Sequence, residues 1–263
     1  EILKKNPYPT EIQLKDDISP YAISCASDRN ISTLIALTQS YLNDKSTALR
    51  SSALVAILKD DPDNSEVIEL IYDILINGKE NEIIGLLGFL IKANYDIQED
   101  LALTFLNSQN SEIKCAILKV ISHNPKNQYM DPIIRLLDDN SVSINAEETL
   151  LHYDKEIICE RLSKFFAKPN SPNSIKIAIL KVIHQFEDQD IIKMIISSMA
   201  DPDLHILNAS CNALNKISKV HGLAKNDLEQ IEVVINTLSL RAFQLHLFKN
   251  ELATDPDALL LID

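Results

Sequence analysis

The 263-residue chain holds four glycines (Gly78, Gly85, Gly88 and Gly222) and no tryptophan. A GxGxxG turn, a phosphate-cradling loop or a nucleophile elbow each needs clustered positions of positive φ, so these devices are excluded. A net charge of −13 argues against bulk nucleic-acid binding and against anionic membrane surfaces. The longest apolar run, 83–91, has nine residues, half of what a membrane span needs.

Leucine and isoleucine, 36 of each, suffice for a large core. The chain begins at Glu1 with a proline-containing stretch (Pro7, Pro9, Pro20), which predicts an irregular segment and a capping helix over 1–30. From there the apolar spacing is helical, as at Ile68, Ile71 and Ile74/Leu75, or Ile192, Ile195/Ile196 and Met199. Most helices are expected to run 11–16 residues, separated by polar joints at 43–45, 60–64, 107–110, 138–140, 168–172 and 201–203. Asp-Pro recurs at 61–62, 131–132, 201–202 and 255–256 and reads as a set of helix starts, with Asp capping and Pro at the first helical position. No sustained period-2 alternation occurs, so no sheet is expected.

The chain repeats itself. Residues 113–121 (IKCAILKVI) and 175–183 (IKIAILKVI) agree at eight of nine positions, and weaker copies begin at Leu49, Ile83, Val142 and Ile206. Successive starts are 34, 30, 29, 33 and 31 residues apart. First and ninth positions are aliphatic in all six copies. The fourth is small in most (Ser52, Ala116, Ala178, Ala209), which predicts a close helix contact there. Each copy follows a polar joint and another apolar helix. The predicted unit is a pair of antiparallel helices. Over 31–221 these second helices, following Asp/Asn/Pro turns, resemble HEAT-repeat or armadillo-like α-solenoids. The resemblance implies an all-α, right-handed superhelix of about six helix pairs with helical caps. TPR and ankyrin signatures are missing. Residues 222–263 are expected to cap the array or to dock a partner, through an apolar helix at 227–252.

Enzymatic relatives of this architecture fit poorly. No histidine is followed by Glu, as the His-Glu pairs of deoxyhypusine hydroxylase would need. The DNA glycosylases resembling this fold rely on a basic groove and tryptophan. Bilin lyases offer no signature to test. Glu147 and Glu148 are adjacent on a helix, about 100° apart, and cannot act as a pair. His205 and His246 have no Cys, Asp, Glu or His at the i+3 or i+4 spacing of a helical metal pair. His123, His152 and His184, on successive repeats, would stand ~10 Å apart, too far to share a zinc. Neither enzyme activity, metal nor cofactor is expected.

One charge pattern remains. Positions 3, 7 and 10–11 of the second helices present Lys59, Lys92, Lys119, His123, His152, Lys181, His184 and Lys216 against the single acid Glu148. Solenoids commonly bind on the concave face these helices line. The candidate partner-binding residues are therefore Lys119, His123, Lys181, His184 and Lys216, with Phe243, Leu247 and Phe248 on the C-terminal helix. The expected function is a non-catalytic protein–protein interaction scaffold gripping an acidic or helical segment. The expected partner is a protein, with no nucleic acid and no direct membrane contact, and the isolated domain is expected to be a monomer. The alternative is an accessory domain of a larger protein, because 175–248 is similar to HEAT appendages of nucleotide-translocase-type permeases. A lyase- or glycosylase-like enzyme comes third. The start at Glu1 and the apolar end 258–263 suggest a piece of a longer polypeptide. The dispersed cysteines (Cys25, Cys115, Cys159, Cys211) suggest reduced, mostly buried thiols and a cytoplasmic setting.

Overall fold

The computed structural model describes Pro20, Ile23 and residues 38–186, 188–220 and 222–253, without the side chains of 248–253. Apart from Pro20 and Ile23, the segment 1–30 lies outside the described residues, as do Cys25, the Asp-Pro step at 255–256 and the tail 258–263. The described chain is helical, with no strand among the described residues. Its helices are α1 (Thr47–Asp60), α2 (Ser65–Asn77), α3 (Glu80–Ala93), α4 (Glu99–Leu106), α5 (Ser111–His123), α6 (Met130–Leu136), α7 (Ser143–Leu150), α8 (Lys155–Ala167), α9 (Asn173–Val182), α10 (Gln189–Ser198), α11 (Leu204–Val220) and α12 (Lys225–Ala253).

The polar joints start the helices by capping them. Ser46, Asn64, Asn110, Asp154 and Asp188 each accept backbone N–H groups of the following first turn, each cap contributing ~1 kcal/mol. The Asp-Pro steps play a different part from the expected one. Asp61 closes α1, its N–H meeting the Ile57 carbonyl at 2.8 Å, while Asn64 caps α2. Asp201 accepts the N–H of Asp203 at 2.9 Å, and Asp203 in turn caps α11 by accepting from His205 at 2.7 Å. Asp131 and Pro132 lie inside the first turn of α6. Where the step precedes a helix, two residues (63–64) or one (Asp203) lie between Pro and the first helical residue. The last of these, not the Asp before Pro, is near enough to reach the first free N–H groups.

The chain forms two compact units, Glu1–Tyr153 and Asp154–Asp263. In the first, α1 packs on α3, α3 on α5 and α5 on α7, while α2, α4 and α6 each back the helix that follows. In the second, α9 packs on α11, α8 lies against α9 and α10, and α10 lies against α11 and α12. The six sequence copies are thus the odd-numbered helices. Ile23 adds to this layer, clustering with Leu49, Ala56 and Tyr41.

Burial follows i, i+4, i+7 in five copies, and in the fifth, where Ile175 is half-buried, i+4 and i+7. The fifth position is fully buried in all six: Ala53, Leu87, Ile117, Ala146, Ile179 and Ser210. The eighth (Ala56, Leu90, Val120, Thr149, Val182, Ala213) is buried as well. The close contact expected at the fourth position is therefore centred one residue later. Ser52, Ala116 and Ala178 are buried beside it, but Ala209 is only half-buried. Polar members of this core are bonded: Thr149 Oγ1 donates to Asn145 O at 2.7 Å, and Ser210 Oγ lies 2.7 Å from Ile206 O and 2.7 Å from Ser198 Oγ.

Several side-chain bonds between elements keep the sequence period. Arg50 reaches Glu82 at 3.1 Å, Asn110 reaches Glu80 at 2.8 Å, Cys115 reaches Asn145 at 3.2 Å and Asn173 reaches Asp203 at 2.6 Å. Each links residues 30 or 32 apart. Lys126 pairs with Asp96 at the same interval, and that bond raises the Lys126 ammonium above its ordinary value.

Candidate functional site

In the second unit, the packing of α9 against α11 leaves a groove of about 540 Å³. Its floor is apolar, from Ile177 and Leu180 on α9 and Ala209 and Ala213 on α11. The small side chains at the fourth and eighth positions of the sixth copy leave this space open. Along one wall, α11 presents His205, Asn208, Asn212, Asn215, Lys216 and Lys219 at helical spacing, and α9 adds Lys181. The three lysines are exposed. No carboxylate is among the described residues that line the groove, although the chain as a whole is strongly acidic. Asn208 and Asn212 already meet, Nδ2 of the latter 3.4 Å from Oδ1 of the former, a long contact that leaves both amides capacity for a ligand.

Two of the residues singled out by sequence, Lys181 and Lys216, come together here. His184 does not line the groove; it lies half-buried in the 3-10 turn that follows α9. Lys119 and His123 are exposed on α5, in the first unit. The His123 ring turns back on its own helix, Nδ1 lying 2.9 Å from Lys119 O, and His152 repeats this with Glu148 O at 2.8 Å. The recurring histidines of these two copies thus serve carbonyls in the last turns of their helices. Lys59 and Lys92 also belong to the first unit, at the ends of α1 and α3. On α1 the rest of that edge is covered, with Ser51, Val55 and Leu58 buried. Phe243 and Leu247 are exposed on α12, and the side chain of Phe248 lies outside those described.

The sequence reading missed Lys219 and the three asparagines. All continue the i, i+3, i+4 face that carries Lys216, but Lys219 falls beyond the repeated window and the amides carry no charge to draw attention. His205, read from sequence only as a possible metal ligand, lines this groove.

No protein-family model matches this sequence, and no curated protein matches it.

A second cleft, of about 320 Å³, lies in the first unit beside Arg50, Asp73, Asn77 and Glu82. Its polar groups are largely engaged with one another: Arg50 with Glu82 at 3.1 Å, and Asn77 with Asp73 at 2.8 Å. The Glu82 carboxyl is held below its ordinary value by the Lys79 backbone N–H and by Arg50. The α9–α11 groove, with unmatched positive charge, is the stronger candidate. The thiols stand apart from it. Burial pushes Cys159 up to about 11 and raises Cys115, so both are protonated at neutral pH. No cluster of three His, Cys, Asp or Glu groups suited to a metal occurs among the described residues, and no described helix is long and apolar enough to cross a membrane.

Proposed function

We propose that this protein is a non-catalytic protein-binding module, built as a HEAT-like α-solenoid, whose second unit receives an acidic segment of a partner in the α9–α11 groove. The observation that carries this reading is the lysine trio Lys181, Lys216 and Lys219 over an apolar floor, with no acid among the lining residues, in a chain of net charge −13. The amines meet carboxylates, the asparagine amides meet a peptide backbone, and the floor takes an aliphatic or aromatic side chain. Nothing in this set asks for bond making. The alternation of packed odd-numbered helices and backing even-numbered ones supports the solenoid reading within each unit.

The test uses a fluorescent acidic peptide, a short Glu/Leu helix, followed by anisotropy. Lys181→Glu with Lys216→Glu should weaken binding about tenfold or more, with affinity falling as salt rises. Reversing the exposed acids of α2, Glu66→Lys with Glu69→Lys, should not weaken it. A gain from the α2 pair as large as the loss from the groove pair would mean that net charge alone attracts the peptide, and equal loss from both would mean that the reversals act through the fold; either would sink the groove.

A further inference from the structure

α9 and α11 run side by side in the same direction. Asn173, the first residue of α9, donates Nδ2 to the Asp203 carboxylate at 2.6 Å, and Asp203 caps the start of α11. At the far end, the 3-10 turn 183–185 that follows α9 packs on α11. The groove between the two helices therefore has unlike ends. Asp201 and Asp203 stand at the N-terminal end, and the His205 backbone N–H holds the Asp203 carboxyl below its ordinary value, so it is charged at neutral pH. Lys181, Lys216 and Lys219 stand at the C-terminal end, within the last two turns of their helices. Between the ends, Ala209 and Ala213 lie one helical turn apart on the floor. From His205 to Lys219 the groove is ~21 Å long at 1.5 Å per residue, or about four helical turns.

We propose that the groove takes one amphipathic helix of a partner protein, about four turns long, acidic in its first turn and lying antiparallel to α9 and α11. This occupant rests on the groove being a binding site, as proposed above, and adds conformation and direction to it. An extended segment sends alternate side chains away from the floor, whereas a helix lays a row of them along one face. That row fits over two alanines one turn apart, where small side chains let a further helix approach closely. The direction follows from charge. Aligned peptide dipoles leave partial negative charge at the C-terminal ends of α9 and α11 and partial positive charge at the N-terminus of a docked helix. Antiparallel docking sets these against each other. It also brings the first turn of that helix, where carboxylates are most stabilising, onto the three lysines. The last turn, where cations are most stabilising, comes to Asp201 and Asp203. Parallel docking would instead need acids in the helix's own last turn, where they oppose its dipole.

Three peptides of equal composition, each about four turns long, test this on the whole wild-type chain by anisotropy. One carries glutamates in the first turn, a leucine stripe and lysines in the last turn. A second exchanges the two charged blocks, and a side-chain lactam keeps both equally helical. The third moves one proline from its end to its middle, which breaks the helix. The acid-first peptide should bind about fivefold or more tightly than the exchanged one, and the proline-broken one should bind weakest. A benzophenone beside the glutamates should cross-link to 181–185 and 216–219, mapped by mass spectrometry, and not to 173–177 or 203–208. Equal binding of the first two, equal or tighter binding of the proline-broken peptide, or cross-links at the N-terminal end overturns the proposal. If Lys181→Glu with Lys216→Glu still weakens binding in those cases, the groove stands and only its occupant is wrong. Failure of all three to bind, or binding indifferent to the lysine reversal, overturns both.

Discussion

Asp139→Asn removes one charge and keeps the outline of the side chain. Asp139 sits in the turn between α6 and α7. Its Oδ2 receives Lys114 Nζ from α5 at 2.8 Å, and its Oδ1 receives the Ser141 N–H at 3.0 Å and the Ser141 hydroxyl at 2.6 Å. Lys114 first, then Ser141, holds the carboxyl at about 2 against an ordinary 3.8. Each pH unit between those points corresponds to ~1.4 kcal/mol, so the ceiling is ~2.5 kcal/mol. A third of the side chain, 33%, faces solvent, and screening there reduces the expected contribution to ~1 kcal/mol. The folded-state value lies below the unfolded one. The stabilisation is therefore complete above about pH 4 and is lost as the pH falls toward 2. Urea unfolding followed by circular dichroism should find the Asn variant ~1 kcal/mol less stable at neutral pH, with the gap closing near pH 2. A gap of equal size at both ends would refute the reasoning, because a neutral hydrogen bond would then carry the whole effect.

Three other experiments probe the core and the thiols. Ala178→Leu inserts volume at a buried helix contact and should lower the melting temperature through ~1–3 kcal/mol of strain; an unchanged midpoint would misplace that face of α9. Ser198 and Ser210 are both buried and have three short contacts to satisfy with two protons, so a double-mutant cycle to alanine should return a coupling of ~0.5–1.5 kcal/mol, and additive losses would mean the hydroxyls act independently. Under iodoacetamide at neutral pH, exposed Cys211 should react well before buried Cys159, and equal rates would contradict the burial that raises the Cys159 thiol.

Helix placement was legible because the apolar spacing is dense and the joints carry capping residues. The alternation of copies with backing helices could be read from self-similarity alone. What one dimension concealed was the exact depth of each position. The fourth residue of a copy is small and drew the eye, yet full burial falls on the fifth, where side chains as different as Ala146, Ile179 and Ser210 are equally enclosed. Size reports how much room a neighbour leaves; it does not report which residue points at the neighbour. The Asp-Pro steps misled for a related reason, since the composition of a turn says little about which of its residues reaches the free N–H groups. For the site, Lys181 and Lys216 were visible as a charge pattern. Their meeting in one groove depends on α9 packing against α11, and the asparagines beside them became meaningful only when that packing put them on the wall. The same pattern also included Lys119 and His123, which belong to the other unit.

Bonds such as Arg50 to Glu82, Asn110 to Glu80 and Asn173 to Asp203 span 30 or 32 residues. Each helix pair can therefore find its neighbours soon after it leaves the ribosome. Synthesis at ~5–20 residues per second delivers one such interval within a few seconds, far slower than helix formation and local docking. An emerging pair settles on the copy already made instead of waiting for a distant strand or terminus. The local bonds thus permit assembly in the order of translation, so that a halted chain would retain the part already built.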